Sequence, residues 1–159
     1  MLYLIRHAHA LDHEDDDARE LSAAGCAQVR RLAAFLRPGG EMQPVEIWHS
    51  PLVRASQTAE LLAESLGLRV PLKSMPGLRS GDDPHLITPR LRPPRSLALV
   101  GHEPHLSALG SLLVTGAAYP QVFVMGKCAI LALERFKGGD TGCWAVRWHL
   151  APELLDAPT

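Results

Sequence analysis

Short apolar segments alternate with stretches of helical periodicity along most of this 159-residue chain. Three such segments, Leu2–Ile5, Val45–Trp48 and Ser96–Val100, have the length and character of buried strands. Apolar residues at helical spacing follow each of them. Alternation of strands and helices is typical of a parallel sheet that is covered by helices. The sequence therefore predicts an α/β fold, a three-layer sandwich with a mostly parallel central sheet and helices on both faces. We expect a single domain over residues 1–159.

Local signals predict where the helices begin and end. Ser22 has the side chain of an N-cap, and the run Pro38–Gly40 ends the helix that follows it. In the second helix, Ser50 is the predicted N-cap and Pro51 the first helical residue. Gly67 lies where a C-terminal glycine is expected.

The rest of the chain predicts smaller elements. We expect a minor edge strand at Val70–Leu72 and a short helix near Pro84. Further β structure is predicted with a glycine-rich turn at Gly138–Gly139, in the segments Val122–Val124, Ala129–Leu133 and Trp144–Trp148.

Composition excludes several classes of protein. The net charge is −1 and no segment is dense in Lys and Arg, which argues against a nucleic-acid partner. No apolar run approaches the roughly 20 residues that span a bilayer, so we expect no membrane partner and a cytoplasmic protein. Three widely spaced cysteines argue against a disulfide scaffold and a thiolate zinc site.

Polar residues follow three of the predicted strands at the point where each strand ends. Arg6 and His7 follow the first, Ser50 and Arg54 the second, and His102 the segment 96–100. Ligands of open α/β sheets bind at the carboxyl ends of the strands. These residues are therefore predicted to converge on one site.

Two arginines and two histidines at one edge form a cationic pocket that suits phosphate. An arginine fork matches phosphate oxygens, and Arg54 also lies at a predicted helix N-terminus. A neutral imidazole is a good nucleophile, so attack on phosphorus gives a phosphohistidine intermediate. We expect no cofactor and no metal, since Arg6, Arg54 and a protonated His102 supply the positive charge.

Three segments also match the motifs of one family in their order along the chain. Leu4–Ala8 is similar to the family's Arg-His-Gly signature. Ser50–Ala59 fits its motif Ser-Pro-x-x-Arg-x-x-Gln-Thr-Ala. Val100–Pro104 is similar to the segment that holds the family's second histidine. The chain thus resembles the histidine phosphatase (phosphoglycerate mutase-like) superfamily. Within that superfamily, the chain most resembles the compact SixA-like branch, the phosphohistidine phosphatases. The features that carry this resemblance are the short length, the segment Gly101-His102-Glu103-Pro104 and the tail at 148–152.

The resemblance implies a phosphoglycerate mutase-like fold and a role for each motif residue. His7 becomes the phosphorylated nucleophile, Arg6 and Arg54 clamp the phosphoryl group, and His102 is a second, cationic contact. A phosphate or sulfate ion is expected to touch these four residues. Arg19 lies where this branch often carries an arginine; it either reaches the pocket edge or pairs with the acidic loop at 12–17. The implied partner is a phosphorylated protein that carries phosphohistidine, or a small phosphate ester.

The sequence departs from the family pattern at two places. Ala8 stands where the signature has glycine, and His9 adds an imidazole that we expect in an exposed loop rather than in the pocket.

The second departure concerns the general acid, since the only carboxylates in residues 75–94 are Asp82 and Asp83. Asp83 precedes Pro84 and suits a helix cap. An imidazole leaving group, with a pKa of about 6.5, needs less acid assistance than an alkoxide.

Three alternatives remain open from the sequence. A small-molecule phosphomonoesterase for a sugar or nucleotide phosphate would use Asp82 or Asp83 as its general acid. A non-catalytic phosphate-binding domain would keep the pocket without turnover. A metal site would use His9, Asp12 and His13, although acidic loops are usually only solvated.

Overall fold

The computed structural model of the protein describes residues 1–91, 96–136 and 141–156. Within those residues the elements, in chain order, are β1 (Leu2–Arg6), α1 (Ala23–Leu36), β2 (Glu46–His49), α2 (Val53–Leu66), β3 (Leu72–Ser74), β4 (Leu97–Gly101), α3 (His105–Thr115), β5 (Ile130–Arg135) and β6 (Trp144–Leu150). Short 3₁₀ turns lie at Asp16–Ala18, Pro84–Leu86, Thr88–Arg90 and Pro152–Asp156. In this part of the chain, no helix is both long and apolar enough to cross a bilayer.

The strands form one six-stranded mixed sheet in the order β3-β2-β4-β1-β5-β6. Neighbours among β3, β2, β4 and β1 run parallel, whereas β5 is antiparallel to β1 and to β6. Parallel strands need a crossover connection, which α1 and α2 supply between β1, β2 and β3. β5 runs antiparallel to β1 although α3 connects it to β4, and the consecutive strands β5 and β6 pair antiparallel. The prediction of a mostly parallel sheet is confirmed.

Strand alternation gives the sheet two apolar faces. Tyr3 and Ile5 of β1 join the core formed with α1 and α2. Leu2 and Leu4 point the other way, into the core formed with α3. Because successive side chains of a strand point to opposite faces, four consecutive apolar residues require cover on both sides. The predicted three-layer sandwich is confirmed.

Three of the four predicted helix ends are confirmed and one is wrong. The first helix, α1, ends at Leu36 just before the run Pro38–Gly40. The Ser22 hydroxyl accepts from the Gly25 N–H at 3.0 Å, and Gly67 ends α2 in the left-handed conformation (φ 72°). However, α2 begins at Val53 with Leu52 as its N-cap residue. Ser50 does not cap it because its hydroxyl is hydrogen-bonded to a buried histidine, as described below.

The smaller elements differ from prediction in part. Val122–Val124 is not a strand: the Val122 N–H donates to the Ser111 hydroxyl, and the Val124 side chain is 87% exposed. The edge strand lies at Leu72–Ser74 rather than two residues earlier. The short helix at Pro84–Leu86 is confirmed, with Asp83 as its cap. The predicted turn at 138–139 lies outside the described residues.

Candidate active site

The carboxyl ends of β1, β2 and β4 meet at one edge of the sheet. The His7 N–H donates to the Gly101 carbonyl at 3.0 Å, and the Ser50 N–H donates to the Val100 carbonyl at 2.9 Å. These backbone bonds place the residues after the three strands side by side. The rings of His7 and His102 consequently lie with their centroids 5.0 Å apart.

His7 is held in one tautomer. Its Nδ1 lies 2.7 Å from the Ala8 carbonyl oxygen, which can only accept a hydrogen bond. Nδ1 therefore carries the proton, and Nε2 presents a lone pair. The side chain is only 4% exposed, so few other orientations are open to it. The methyl group of Ala8 lies in the core on the α1–α2 side of the sheet and its N–H donates to the Thr58 hydroxyl at 3.1 Å.

The surroundings of His7 keep the imidazole neutral. Burial first, and then the positive charge of Lys127, lower its pKa from 6.5 to about 3, and His102 and Arg54 act in the same direction. A neutral ring with a free Nε2 lone pair has the electronic form of a nucleophile.

His102 is buried beside His7 and is hydrogen-bonded to Ser50, with 2.8 Å between Nε2 and Oγ. Burial, and next the charge of Arg54, lower the pKa of His102 from 6.5 to about 4. His102 is therefore neutral in this structure at neutral pH, and a cationic His102 in contact with a bound phosphoryl group stays a prediction. Low dielectric and neighbouring positive charges both oppose a second charge on the ring.

Arg54 lies in the first turn of α2 and is only 6% exposed. Its Nη1 donates to the Asp16 carbonyl at 2.6 Å, and its Nη2 donates to the Asp16 carboxylate at 2.9 Å. The hydrogen bond from Arg54 lowers the pKa of Asp16, so the carboxylate is charged at neutral pH. Sequence reasoning missed Asp16, which it grouped with the exposed acidic loop.

Arg6 extends from the end of β1 toward the segment before β5. Its Nη1 donates to the Met125 carbonyl at 2.8 Å. Within the described part of the chain, three buried nitrogen atoms at this edge make no hydrogen bond. Two are donors, Arg6 Nε and Arg54 Nε, and the third is His102 Nδ1, which can donate or accept. An oxyanion offers several acceptor oxygens to such groups.

Arg19 meets one of the two expectations stated for it. It pairs with the acidic loop, with Nη1 3.2 Å from the Asp16 carboxylate and Nη2 3.6 Å from the Asp12 carboxylate. It also lines a cavity of about 230 Å³ together with Lys127. Neither His7 nor His102 lines that cavity, so the reach of Arg19 to the phosphate pocket stays a prediction. The other residues of that cavity are His9, Ala10, Leu11 and Asp12.

Lys127 is the second residue that sequence reasoning missed. It lies in the segment before β5, and its Nζ is 3.4 Å from His7 Nε2. Burial and the charges of Arg6, Arg19 and Arg54 lower the pKa of Lys127 from 10.5 to about 8. A single lysine between glycine and cysteine carries no motif, so nothing in the sequence pointed to it.

The two candidate general acids have local partners. Asp82 accepts a hydrogen bond from the Arg79 N–H at 2.8 Å. Asp83 accepts from the His85 N–H at 2.9 Å and caps the turn that begins at Pro84. Both carboxylates thus stabilise the loop at 79–86, and the cap expected for Asp83 is confirmed.

The metal hypothesis finds no matching cluster. His9 is exposed as expected, and its Nδ1 is hydrogen-bonded to the Ser22 hydroxyl at 2.7 Å, while it also lines the cavity beside Arg19. His13 accepts from the Asp15 N–H at 3.0 Å. Among the described residues, no three His, Cys, Asp or Glu side chains are grouped as metal ligands.

Arg6, His7, Ser50 and Arg54 belong to a stretch that a known family model matches, whereas His102 lies beyond it. The model of the histidine phosphatase superfamily (branch 1) matches residues 2–82, about half of the chain. This chain is a histidine phosphatase. It is 26% identical over 157 residues to phosphohistidine phosphatase SixA of Escherichia coli (strain K12), which covers 95% of this chain and 93% of that protein.

Solved structures agree with a SixA-like histidine phosphatase. The protein histidine phosphatase SixA complexed with tungstate superimposes with a TM-score of 0.84 and 25% identity, over 98% of this chain and 99% of that one. A mycobacterial glucosyl-3-phosphoglycerate phosphatase shares the fold, with a TM-score of 0.65 and 21% identity over 92% and 96% of the two chains. This histidine phosphatase is therefore a phosphoryl-group hydrolase of the SixA-like branch.

Proposed function

We propose that this histidine phosphatase removes the phosphoryl group from phosphohistidine in a protein, through a covalent intermediate on His7. The observation that carries the proposal is the state of His7: buried, neutral, and with Nε2 unprotonated because Nδ1 donates to Ala8. Its relative in Escherichia coli is a phosphohistidine phosphatase, and the tungstate bound by the solved SixA is an oxyanion, like phosphate.

In the first step, the Nε2 lone pair of His7 attacks phosphorus. The new N–P bond forms as the bond from phosphorus to the substrate nitrogen breaks, and that nitrogen keeps the electron pair. A substrate ring that is protonated on its other nitrogen departs as neutral imidazole. Arg6, Arg54 and His102 contact the phosphoryl oxygens, where charge has to be held in the transition state.

In the second step, water attacks the phosphorus of the phosphorylated His7. The N–P bond breaks, its electron pair returns to Nε2, and inorganic phosphate leaves with the water oxygen. The proton released by water goes to solvent or to the phosphate. The positive charges of this site come from side chains, so the proposal includes no metal and no other cofactor.

The partners of Asp82 and Asp83 favour phosphohistidine over an alkyl phosphate. An alkoxide leaving group needs a proton from a positioned acid, whereas imidazole is a much weaker base. Asp82 accepts from the Arg79 backbone and Asp83 from the His85 backbone, which uses both carboxylates as caps.

We also infer one domain over residues 1–159, because both apolar cores pack on the same sheet.

The substrate is tested by phosphate release from a phosphohistidine-bearing protein and from a panel of sugar, nucleotide and alkyl phosphates. Both assays include a metal chelator and compare wild type, His7→Ala and a control, His13→Ala, which removes an exposed histidine. We expect fast release from phosphohistidine that is lost only in His7→Ala. Preference for an alkyl phosphate would instead support the small-molecule phosphomonoesterase. Phosphate binding without release from any substrate would support the non-catalytic domain.

A further inference from the structure

Lys127 reaches the reacting atom of the proposed nucleophile. Its Nζ lies 3.4 Å from Nε2 of His7, the nitrogen that is left without a proton. An ammonium group can only donate and this Nε2 can only accept, so the direction of the contact is settled. The distance is long for a hydrogen bond, and such a contact is easily exchanged for a better acceptor.

The backbone holds Lys127 in this place. The Cys128 N–H donates to the His7 carbonyl at 3.2 Å, and the Arg6 N–H donates to the Ala129 carbonyl at 3.1 Å. Cys128 has a left-handed backbone (φ 62°), which is uncommon for a residue with a side chain. Strained conformations of this kind persist where the surrounding structure enforces them, and they cluster at functional sites.

We propose that Lys127 is a further catalytic residue, whose ammonium group holds Nε2 of His7 in the resting site and passes to a phosphoryl oxygen as the N–P bond forms. This inference rests on the proposed phosphatase function. An oxygen of the attacked phosphoryl group is separated from Nε2 only by phosphorus. It therefore lies within reach of an ammonium group that already contacts Nε2.

The exchange of partners needs no additional reactant. The lone pair of Nε2 becomes the N–P bond, and the leaving group takes the electron pair of the bond that breaks. The protons of Lys127 stay on Nζ, whose N–H groups point first to Nε2 and then to oxygen. The gain is electrostatic, because a donor placed where charge develops stabilises the transition state more than the ground state.

Charged groups surround Lys127 on several elements. Arg6 comes from β1, Arg19 from the segment before α1, Arg54 from α2, and the negative Asp16 opposes them. Burial first, and then these like charges, lower the pKa of Lys127 to about 8. A bound phosphoryl group offsets this repulsion and so favours the protonated amine when substrate is present.

The test compares Lys127→Met and Lys127→Arg with a control, Arg90→Met, which removes an exposed positive charge. Thermal unfolding first establishes that each variant is folded. We expect Lys127→Met to lower kcat on phosphohistidine about 100-fold with a smaller change in KM, as for loss of one transition-state donor. Lys127→Arg restores part of kcat, and Arg90→Met stays near wild type. The alkaline limb of the kcat/KM profile, which reports the free enzyme and lies near pH 8 in wild type, disappears in Lys127→Met.

A second readout does not depend on turnover. An NMR titration of the His7 ring gives its pKa directly, and loss of the Lys127 charge should raise it above the wild-type value of about 3. If the wild type is active and the kcat of Lys127→Met lies within about threefold of the wild-type kcat, the role of Lys127 is overturned but the phosphatase proposal is not. If the wild type is inactive but Lys127→Met still shifts the pKa of His7, the phosphatase proposal is rejected and only the contact between Lys127 and His7 remains. If Lys127→Met does not fold, Lys127→Gln, which also removes the charge, replaces it in both measurements.

Discussion

The buried guanidinium of Arg54 binds the carboxylate of Asp16, with Nη2 2.9 Å from Oδ2. Arg54 is almost fully covered, whereas the Asp16 side chain is 63% exposed on its other side. The acidic loop thus supplies the positive edge of the sheet with one negative group. In the proposed mechanism a phosphoryl oxygen also needs Arg54, so Asp16 and the substrate compete for the same donors.

Asp16→Asn should tighten the binding of inorganic phosphate or tungstate. The amide keeps an acceptor for Arg54 but removes the charge that competes with the anion. Isothermal titration should show a severalfold lower Kd than in wild type. Asp12→Asn is the matched control, because it removes the same charge from the same loop at an exposed side chain 3.6 Å from Arg19. Equal affinity in wild type and Asp16→Asn would contradict the competition.

Ser50→Ala should destabilise the fold through His102. The Ser50 hydroxyl is the hydrogen-bond partner of His102 Nε2, and removing it leaves a buried ring nitrogen unsatisfied. Such a loss costs about 1–3 kcal/mol in the free energy of unfolding, which urea denaturation measures. Ser56→Ala is the control, because its hydroxyl only donates to the Val53 carbonyl within α2 and its removal costs about 0.5 kcal/mol or less.

Stability should fall as the pH is lowered from about 6.5 to about 4. The unfolded chain binds protons on its histidines below about pH 6.5, whereas burial holds the pKa of His7 at about 3 and of His102 at about 4. Each such histidine lowers the free energy of unfolding by about 1.4 kcal/mol per pH unit in that window. Urea denaturation at several pH values checks this. His102→Gln should reduce the slope by about one proton.

Asp82→Asn should leave turnover of phosphohistidine within about threefold of wild type, because imidazole departs without a positioned acid. Activity on alkyl phosphates, measured in parallel, should be low in both proteins. Asp83→Asn serves as the comparison, since it alters the cap of the Pro84–Leu86 turn. A large loss of phosphohistidine turnover in Asp82→Asn alone would assign the general acid to Asp82 and refute the reasoning from the leaving group.

Much of the architecture follows from local sequence. Apolar runs of strand length, such as Leu2–Ile5, and helical periodicity after Ser22 predict which elements form. Parallel strands end at the same edge, so the approach of His7 to His102 follows from their positions directly after β1 and β4. Periodicity and strand order carry this part of the structure.

The remaining features depend on contacts between distant segments. Asp16 and Arg54 are 38 positions apart, and Lys127 and His7 are 120 apart. Both Asp16 and Lys127 lie in segments without regular periodicity, where neither a strand nor a long helix sets the direction of the side chain. The charge state of His102 likewise depends on burial, which only the folded chain determines.

The most direct test of the account is detection of the phosphorylated enzyme. Wild-type protein is mixed with ³²P-labelled phosphohistidine substrate and quenched in alkali within the first turnover, and the labelled peptide is mapped by mass spectrometry. The proposed mechanism predicts an acid-labile, alkali-stable label on His7 that is absent in His7→Ala. Turnover without a label on His7, or a label on His102 instead, would contradict it.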